Sequence, residues 1–218
     1  PASASAAWRA ELKRALDHDL EHLSLYQLTL EQNTGFHGAV ARGVFAPLDA
    51  DAAATLYELT QELCDAAGLP AYEISNHARS GAASRHNLTY WRSGDYLGIG
   101  PGAHGRVTID GVRRATQQSR KPETWLERVE DIGHATEIEE TISADMQFEE
   151  LLMMGLRLAE GVPLERMSRI SGRVLAELFA GRQLQRLIDG GFLLLDATHL
   201  KATASGRQVL NTVLAELL

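Results

Sequence analysis

Gly98-Ile99-Gly100-Pro101-Gly102-Ala103-His104-Gly105 is the stretch that separates two folds. Gly100, Gly102 and Gly105 make a formal G-x-G-x-x-G match. In a dinucleotide-binding sheet such a loop opens directly into a helix whose N-terminus holds the pyrophosphate, with an acidic residue about 20 positions on. Here Pro101 sits inside the loop, and the chain runs on into residues 106–115, where Asp110-Gly111 lies between β-type residues. That pair is a strong signal for a two-residue hairpin turn. A hairpin gives a pyrophosphate no helix N-terminus, so the NAD reading is rejected. Two readings of the glycines remain. They allow the backbone to approach something bulky, or they make a tight strand-to-hairpin turn. His104 beside them is a candidate ligand or acid–base group.

Just upstream lies Arg85-His86-Asn87-Leu88-Thr89-Tyr90-Trp91. A neutral imidazole such as His86 can ligate heme iron. Tyr90 and Trp91 offer flat apolar faces with a polar handle, suited to stacking on a porphyrin. Asn87 can orient an imidazole or bond a carboxylate, and Arg85 and Arg92 match propionate geometry. Alternatively, Tyr90 and Trp91 are core aromatics and His86 is a satisfied surface histidine. On composition alone the second reading is the commoner one, because single His–aromatic clusters are frequent. In Tyr72-Glu73-Ile74-Ser75-Asn76-His77, Glu73 is either a buried acid or an outward strand residue, and His77 reads as surface.

Working outward, residues 6–20 carry apolar positions at helical spacing, and residues 22–31 read as a buried strand. One helix–strand pair cannot cover both faces of a sheet, so earlier βα units are expected upstream. Residues 32–48 are loop-like. Asp49 caps a helix running to Ala67, with Gly68 as its stop. Residues 71–75 and 96–99 read as short strands, and residues 76–94 as a polar loop. After Lys121-Pro122 the pattern turns helical: 123–130, then 144–160 behind a Ser143 cap, a short helix from Pro163, and 174–188. Paired strands at 192–195 and 199–202 and a helix over 205–218 complete a winged-helix-like order. The predicted divisions are residues 1–35, 36–120 and 121–218.

The chain has 218 residues, a net charge of −8 and a single cysteine, Cys64. One thiol makes no internal disulfide and cannot supply the three or four thiolates of an iron–sulfur cluster or structural zinc site. It is consistent with a reducing cytoplasm. No apolar run approaches the roughly 20 residues of a membrane span. Residues 1–7 do not read as a signal peptide, and the absence of an initial Met suggests a fragment boundary or a processed end. Arg157, Arg166, Arg169, Arg173, Arg182 and Arg186 bias one region positive, but Glu160, Glu165, Glu177, Asp189 and the overall acidity argue against nucleic acid as a partner.

Taken together, Ser24-Leu25-Tyr26-Gln27-Leu28-Thr29-Leu30-Glu31, Tyr72-Glu73-Ile74-Ser75-Asn76, His86-Asn87-Leu88-Thr89-Tyr90-Trp91, Gly94-Asp95-Tyr96-Leu97-Gly98-Ile99-Gly100, Gly102-Ala103-His104-Gly105 and Glu160-Gly161-Val162-Pro163 resemble the HemW-type heme chaperones of the radical SAM family. These are relatives of the oxygen-independent coproporphyrinogen III oxidases. The resemblance implies an α/β fold, α+β in its C-terminal part: the last unit of a partial (β/α) barrel, an accessory region and a winged-helix-like domain. It implies heme binding and delivery to apoproteins, with His86, Asn87, Tyr90, Trp91 and His104 at the heme and His86 as the metal ligand. By analogy it places Tyr26, Thr29, Gly100 and Gly102 at an S-adenosylmethionine pocket. The family's [4Fe–4S] motif of three cysteines is absent from this chain, so its enzyme status stays open and the chain alone is not expected to be active. The alternative function is that of a fragment of the oxidase, an oxidative decarboxylase of porphyrin synthesis. A homodimer, and peripheral membrane association through partners, are left open.

Overall fold

Asp110 and Gly111 both adopt positive φ, at 51° and 76°, as a type I′ hairpin turn requires. In this computed structural model, which describes residues 4–179 and 183–218, helices and short antiparallel sheets alternate along the chain, and the hairpin belongs to one of three such sheets. By its internal contacts the chain falls into two compact units, Pro1–Ser84 and Arg85–Leu218.

In the first unit, α1 (Ala4–Leu16) packs on its partner helix through Leu12, which joins Cys64 and Leu69 in a small core. Strand β1 (His22–Ser24) follows, then α2 (Gly35–Ala41), α3 (Ala50–Ala66) and β2 (Asn76–Ala78). Asp49 caps α3 by accepting from the Ala52 N–H at 2.8 Å. The Trp8 indole donates to Thr60 Oγ1 at 2.8 Å and stitches α1 to α3. The strand expected over residues 22–31 stops at Ser24. β1 pairs antiparallel with β2, and the Leu25 N–H makes one more bond, to the Ser75 carbonyl. Beyond it no neighbouring strand among the described residues takes up the backbone groups, and Tyr26 is 74% exposed. The run expected to be a strand over 71–75 is a turn that feeds β2. Within 32–48, Thr34 caps α2 by accepting from His37 N–H.

The second unit begins with α4 (Arg85–Trp91), a helix in place of the expected polar loop. The hairpin β3 (His104–Ile109) and β4 (Val112–Gln118) follows, then α5 (Pro122–Ile132) and β5 (Thr136–Thr141). These strands form an antiparallel sheet in the order β3-β4-β5. Next come α6 (Ala144–Gly155), β6 (Val162–Pro163), α7 (Leu164–Ser171), α8 (Leu175–Leu178), α9 (Gln183–Asp189), β7 (Leu193–Leu195), β8 (His199–Ala202), α10 (Ala204–Gln208) and α11 (Leu210–Leu217). The sheet order β6-β8-β7, with α7 to α9 between its first and second strands in sequence, is the winged-helix topology. Leu151, Leu152, Leu156, Leu158, Val162, Met167, Leu193, Leu200 and Val213 form its core.

The helix expected over 144–160 ends earlier, with Leu156 as its C-cap. That expected over 174–188 is represented by α8 and α9; Arg182 lies outside the described residues. The last helix is broken at Val209, whose φ of −117° and ψ of 29° are not helical. No helix among the described residues is long and apolar enough to cross a membrane.

Candidate functional site

Because residues 85–91 are helical, His86 and Tyr90 lie one turn apart on one face. Their rings meet edge-on with centroids 4.8 Å apart. Tyr90 in turn meets Tyr96, at 4.3 Å between centroids and 55° between planes. The result is an aromatic ladder, His86–Tyr90–Tyr96, with an exposed imidazole at its end. Burial raises the pKa of the Tyr96 hydroxyl, against the pull of Arg106.

Tyr96 is held by a two-way backbone bridge to Arg106: each N–H donates to the other's carbonyl, at 2.7 and 2.9 Å. Residues directly opposite in an antiparallel pair point to the same face, and so does a residue two positions along the strand. Tyr96, Arg106 and His104 therefore share one sheet face. His104 itself is exposed. Glu150 on α6 accepts from Arg106 Nη2 at 2.8 Å and fixes the guanidinium.

The glycines make this crossing. A Cβ on Gly98 would lie 2.5 Å from the His104 carbonyl oxygen, and one on Gly105 would lie 2.9 Å from Gly98 N. The bulky object they approach is thus the chain itself, and β3 rather than a helix follows the loop. After Tyr96 the loop leaves Leu97 74% and Ile99 81% exposed.

The remaining candidates divide. Asn87 and Trp91 are half-buried on an adjoining stripe of α4. Arg157 lies over the Trp91 ring at 4.6 Å, and the Trp91 indole N–H is buried without an acceptor. Trp91 therefore anchors α4 rather than presenting an open face. Arg92 makes a two-pronged bond to Glu160, at 2.7 and 2.9 Å; Arg85 is exposed. Gly100 and Gly102 take positive φ in the loop before β3. Tyr26 and Thr29 belong to the first unit. Tyr26 lines an apolar cavity of about 440 Å³ there, together with Leu25, Phe45, Tyr57 and His77, whereas Thr29 is exposed and outside its lining.

In the same unit Glu73 is a buried acid. Its Oε1 accepts from Asn76 Nδ2 at 2.5 Å and from Ser75 N–H at 2.8 Å. His77, read from sequence as a surface residue, is fully buried: β2 is buried along its whole length, and His77 shares the cavity lining with Tyr57, Thr60 and Gln61 of α3. Cys64 is also fully buried, and burial together with Asp65 pushes its thiol up to about 11. A single protonated thiol does not fit a [4Fe–4S] cluster, and the described residues contain no group of three or more His, Cys, Asp or Glu able to hold a metal. The residues that sequence reasoning left out of the site are Tyr96, Arg106 and Glu150; the bridge that assembles them is not visible in local pattern.

Comparison with known proteins agrees with this architecture. Residues 142–209 match the HemN C-terminal domain. A solved structure of Escherichia coli coproporphyrinogen III oxidase (HemN), a radical SAM enzyme, superposes with a TM-score of 0.71 at 15% identity, covering 100% of this chain and 52% of that one; at this identity the likeness concerns the fold. The mouse mitochondrial radical S-adenosyl methionine domain-containing protein 1 is 39% identical over 100% of the chain and 51% of its own length. The Escherichia coli heme chaperone HemW is 37% identical over 94% of the chain and 51% of its own length. The chain is a homologue of the HemW heme chaperones and of the radical SAM domain proteins, and it spans about half the length of these curated relatives.

Proposed function

We propose that this chain is the part of a HemW-like heme chaperone that receives heme at the His86–Tyr90–Tyr96 ladder and passes it to apoproteins. The observation that carries the reading is the ladder: an exposed imidazole edge-on to Tyr90, which in turn meets Tyr96, beside a loop that leaves Leu97 and Ile99 in water. Exposed neighbouring apolar side chains mark a binding surface more often than scattered ones do. His86 supplies the iron-ligating nitrogen, and the tyrosine faces and the loop cover the apolar ring. Trp91 and Asn87 position the helix. His104, on the sheet face of Arg106, is the second candidate donor. An open site suits a carrier, because an acceptor protein can reach the bound ring. Cluster and S-adenosylmethionine chemistry, where the longer relatives use it, needs thiolates this chain does not contain; for the first unit Tyr26 and Thr29 remain the proposed S-adenosylmethionine-side residues.

The test is a titration of the 218-residue chain with ferric heme, read by Soret absorbance. Wild type is expected to give a ligated spectrum that His86→Ala loses, with unchanged circular dichroism. His86 is exposed, so its removal leaves no cavity. A Soret band identical in His86→Ala eliminates this ligand.

A further inference from the structure

The second unit holds a polar cavity of about 400 Å³ whose lining includes Ser93, Thr108, Arg113, Gln147, Arg166 and Arg169. It shares no lining residue with the aromatic ladder. Its charges do not balance. Asp95 accepts from Arg113 Nη1 at 2.9 Å and from the Thr108 N–H and hydroxyl at 2.8 and 3.0 Å. Glu150, also in the lining, is occupied by Arg106. Neither Arg166 nor Arg169 makes an ion pair with a carboxylate among the described residues; the carboxylate that acts on Arg166, Asp95, is paired with Arg113. Arg166 spends its two terminal nitrogens on the backbone carbonyls of Arg92 and Ser93.

Two polar atoms of this lining are buried with no partner: Arg166 Nε and Ser93 Oγ. Ser93 is 9% exposed and adopts a φ of 47°, unusual for a residue with a Cβ. Burying a donor without an acceptor costs free energy, and so does crowding guanidinium groups. Burial, and then Arg113 and Arg169, push the Arg166 pKa down, against the opposing pull of Asp95. An oxyanion in the cavity gives the two unpartnered donors an acceptor and offsets the crowded guanidinium charge.

We infer that this cavity binds a small oxyanion, a carboxylate or a phosphate. Arg169 and Arg166 provide the charge, and Arg166 Nε and Ser93 Oγ provide directed hydrogen bonds. Planar guanidinium groups match both ligand geometries. The anion comes either free from solution or as the propionate of a bound porphyrin.

The probe is inorganic phosphate, compared with chloride at equal ionic strength. Phosphate also stabilises folded chains by exclusion from their surface, so the readout is the difference between wild type and Arg169→Ala. Arg169 is exposed, and its truncation leaves the core intact. Wild type is expected to gain several degrees in Tm at a phosphate concentration roughly 100-fold above Kd. Arg169→Ala is expected to bind phosphate about tenfold more weakly by calorimetry. An equal rise in both proteins, or no calorimetric binding to wild type, overturns the proposal and leaves a solvated arginine face. His86→Ala is expected to keep the phosphate response, which separates this site from the heme reading. Phosphate that weakens binding of heme but not of heme dimethyl ester assigns the oxyanion to a propionate; phosphate binding that leaves both titrations unchanged assigns a free anion.

Discussion

The two units bury their apolar residues in different ways. In the second, α6, α7, α11 and the β6-β8-β7 sheet enclose Leu151, Leu152, Leu156, Leu158, Met167 and Leu200, all shielded almost completely from water. In the first, Leu12, Cys64 and Leu69 form a core of three, surrounded by half-buried Trp8, Leu16, Leu23, Leu25 and Leu63. Tyr26, Leu28, Phe36, Val44 and Leu48 are exposed there. A winged helix closes on itself. A helix pair with one two-stranded sheet leaves a face open, and that face is the apolar cavity beneath Tyr26. The unit with the closed core also carries the ladder and the arginine cavity, so the candidate chemistry stands on the firmer scaffold.

The strongest test of this contrast truncates one buried leucine in each unit. Leu152 and Leu12 are equally hidden, at 0% and 1% exposure. Leu152→Ala leaves a hole among neighbours that are themselves fully packed and cannot collapse, so a loss of about 4 kcal/mol is expected. Leu12→Ala opens onto half-buried residues that can close in, and about 2 kcal/mol is expected. Urea unfolding followed by circular dichroism measures both. Equal losses would break the contrast.

A second test uses pH and is confined to the first unit. His77 is buried, and both ring nitrogens lack a partner at hydrogen-bond geometry. Burial lowers its pKa from the usual 6.5; the Leu69 backbone, Asp65 and Glu73 oppose this, and His22 adds to it. The folded form therefore resists protonation that the unfolded chain accepts. Above 6.5 both forms hold His77 neutral and its full contribution is present; as pH falls through 6.5 toward the lower folded value, stability is lost. Wild type is expected to lose Tm over that window and His77→Gln to lose less. Parallel profiles would show that the ring is protonated in the folded chain.

The features legible in the sequence are those made by short-range bonds. Asp110-Gly111 makes a hairpin from its own backbone preferences. Asp49 and Ser143 cap helices with their own side chains. The helix at 85–91 was not legible, because Asn87, Thr89, Tyr90 and Trp91 are weak helix formers and the segment is only one to two turns long; Trp91 packed under Arg157 holds it. Strand β5, Thr-Glu-Ile-Glu-Glu-Thr, owes its conformation to pairing with β4. The candidate site shows the same division. His86, Tyr90 and His104 stood out by residue type, whereas Tyr96 and Arg106 meet only where Gly98 and Gly105 let two strands cross. The i,i+4 spacing on α4 puts His86 and Tyr90 side by side, and Trp91 lies on the adjoining stripe with Arg157 over its ring.

That anchor yields the smallest and most discriminating expectation. Besides Trp91, α4 is tied down by the Arg92–Glu160 pair, which joins its end to the turn before β6. Both side chains are about half exposed, at 51% and 47%, so water and salt screen the pair, and its worth is expected to be under ~1 kcal/mol despite the two-pronged geometry. Arg92 holds the Glu160 carboxyl below its usual range, against burial. The contribution is therefore present at neutral pH and lost as pH falls through the carboxylate range. Glu160→Gln is expected to lower stability by a few tenths of a kcal/mol at low salt and by less at high salt, with little change in heme affinity, because Trp91 still seats the helix. A heme affinity that falls as far as it does in His86→Ala would mean that this exposed ion pair, rather than the half-buried indole, sets the position of the ladder.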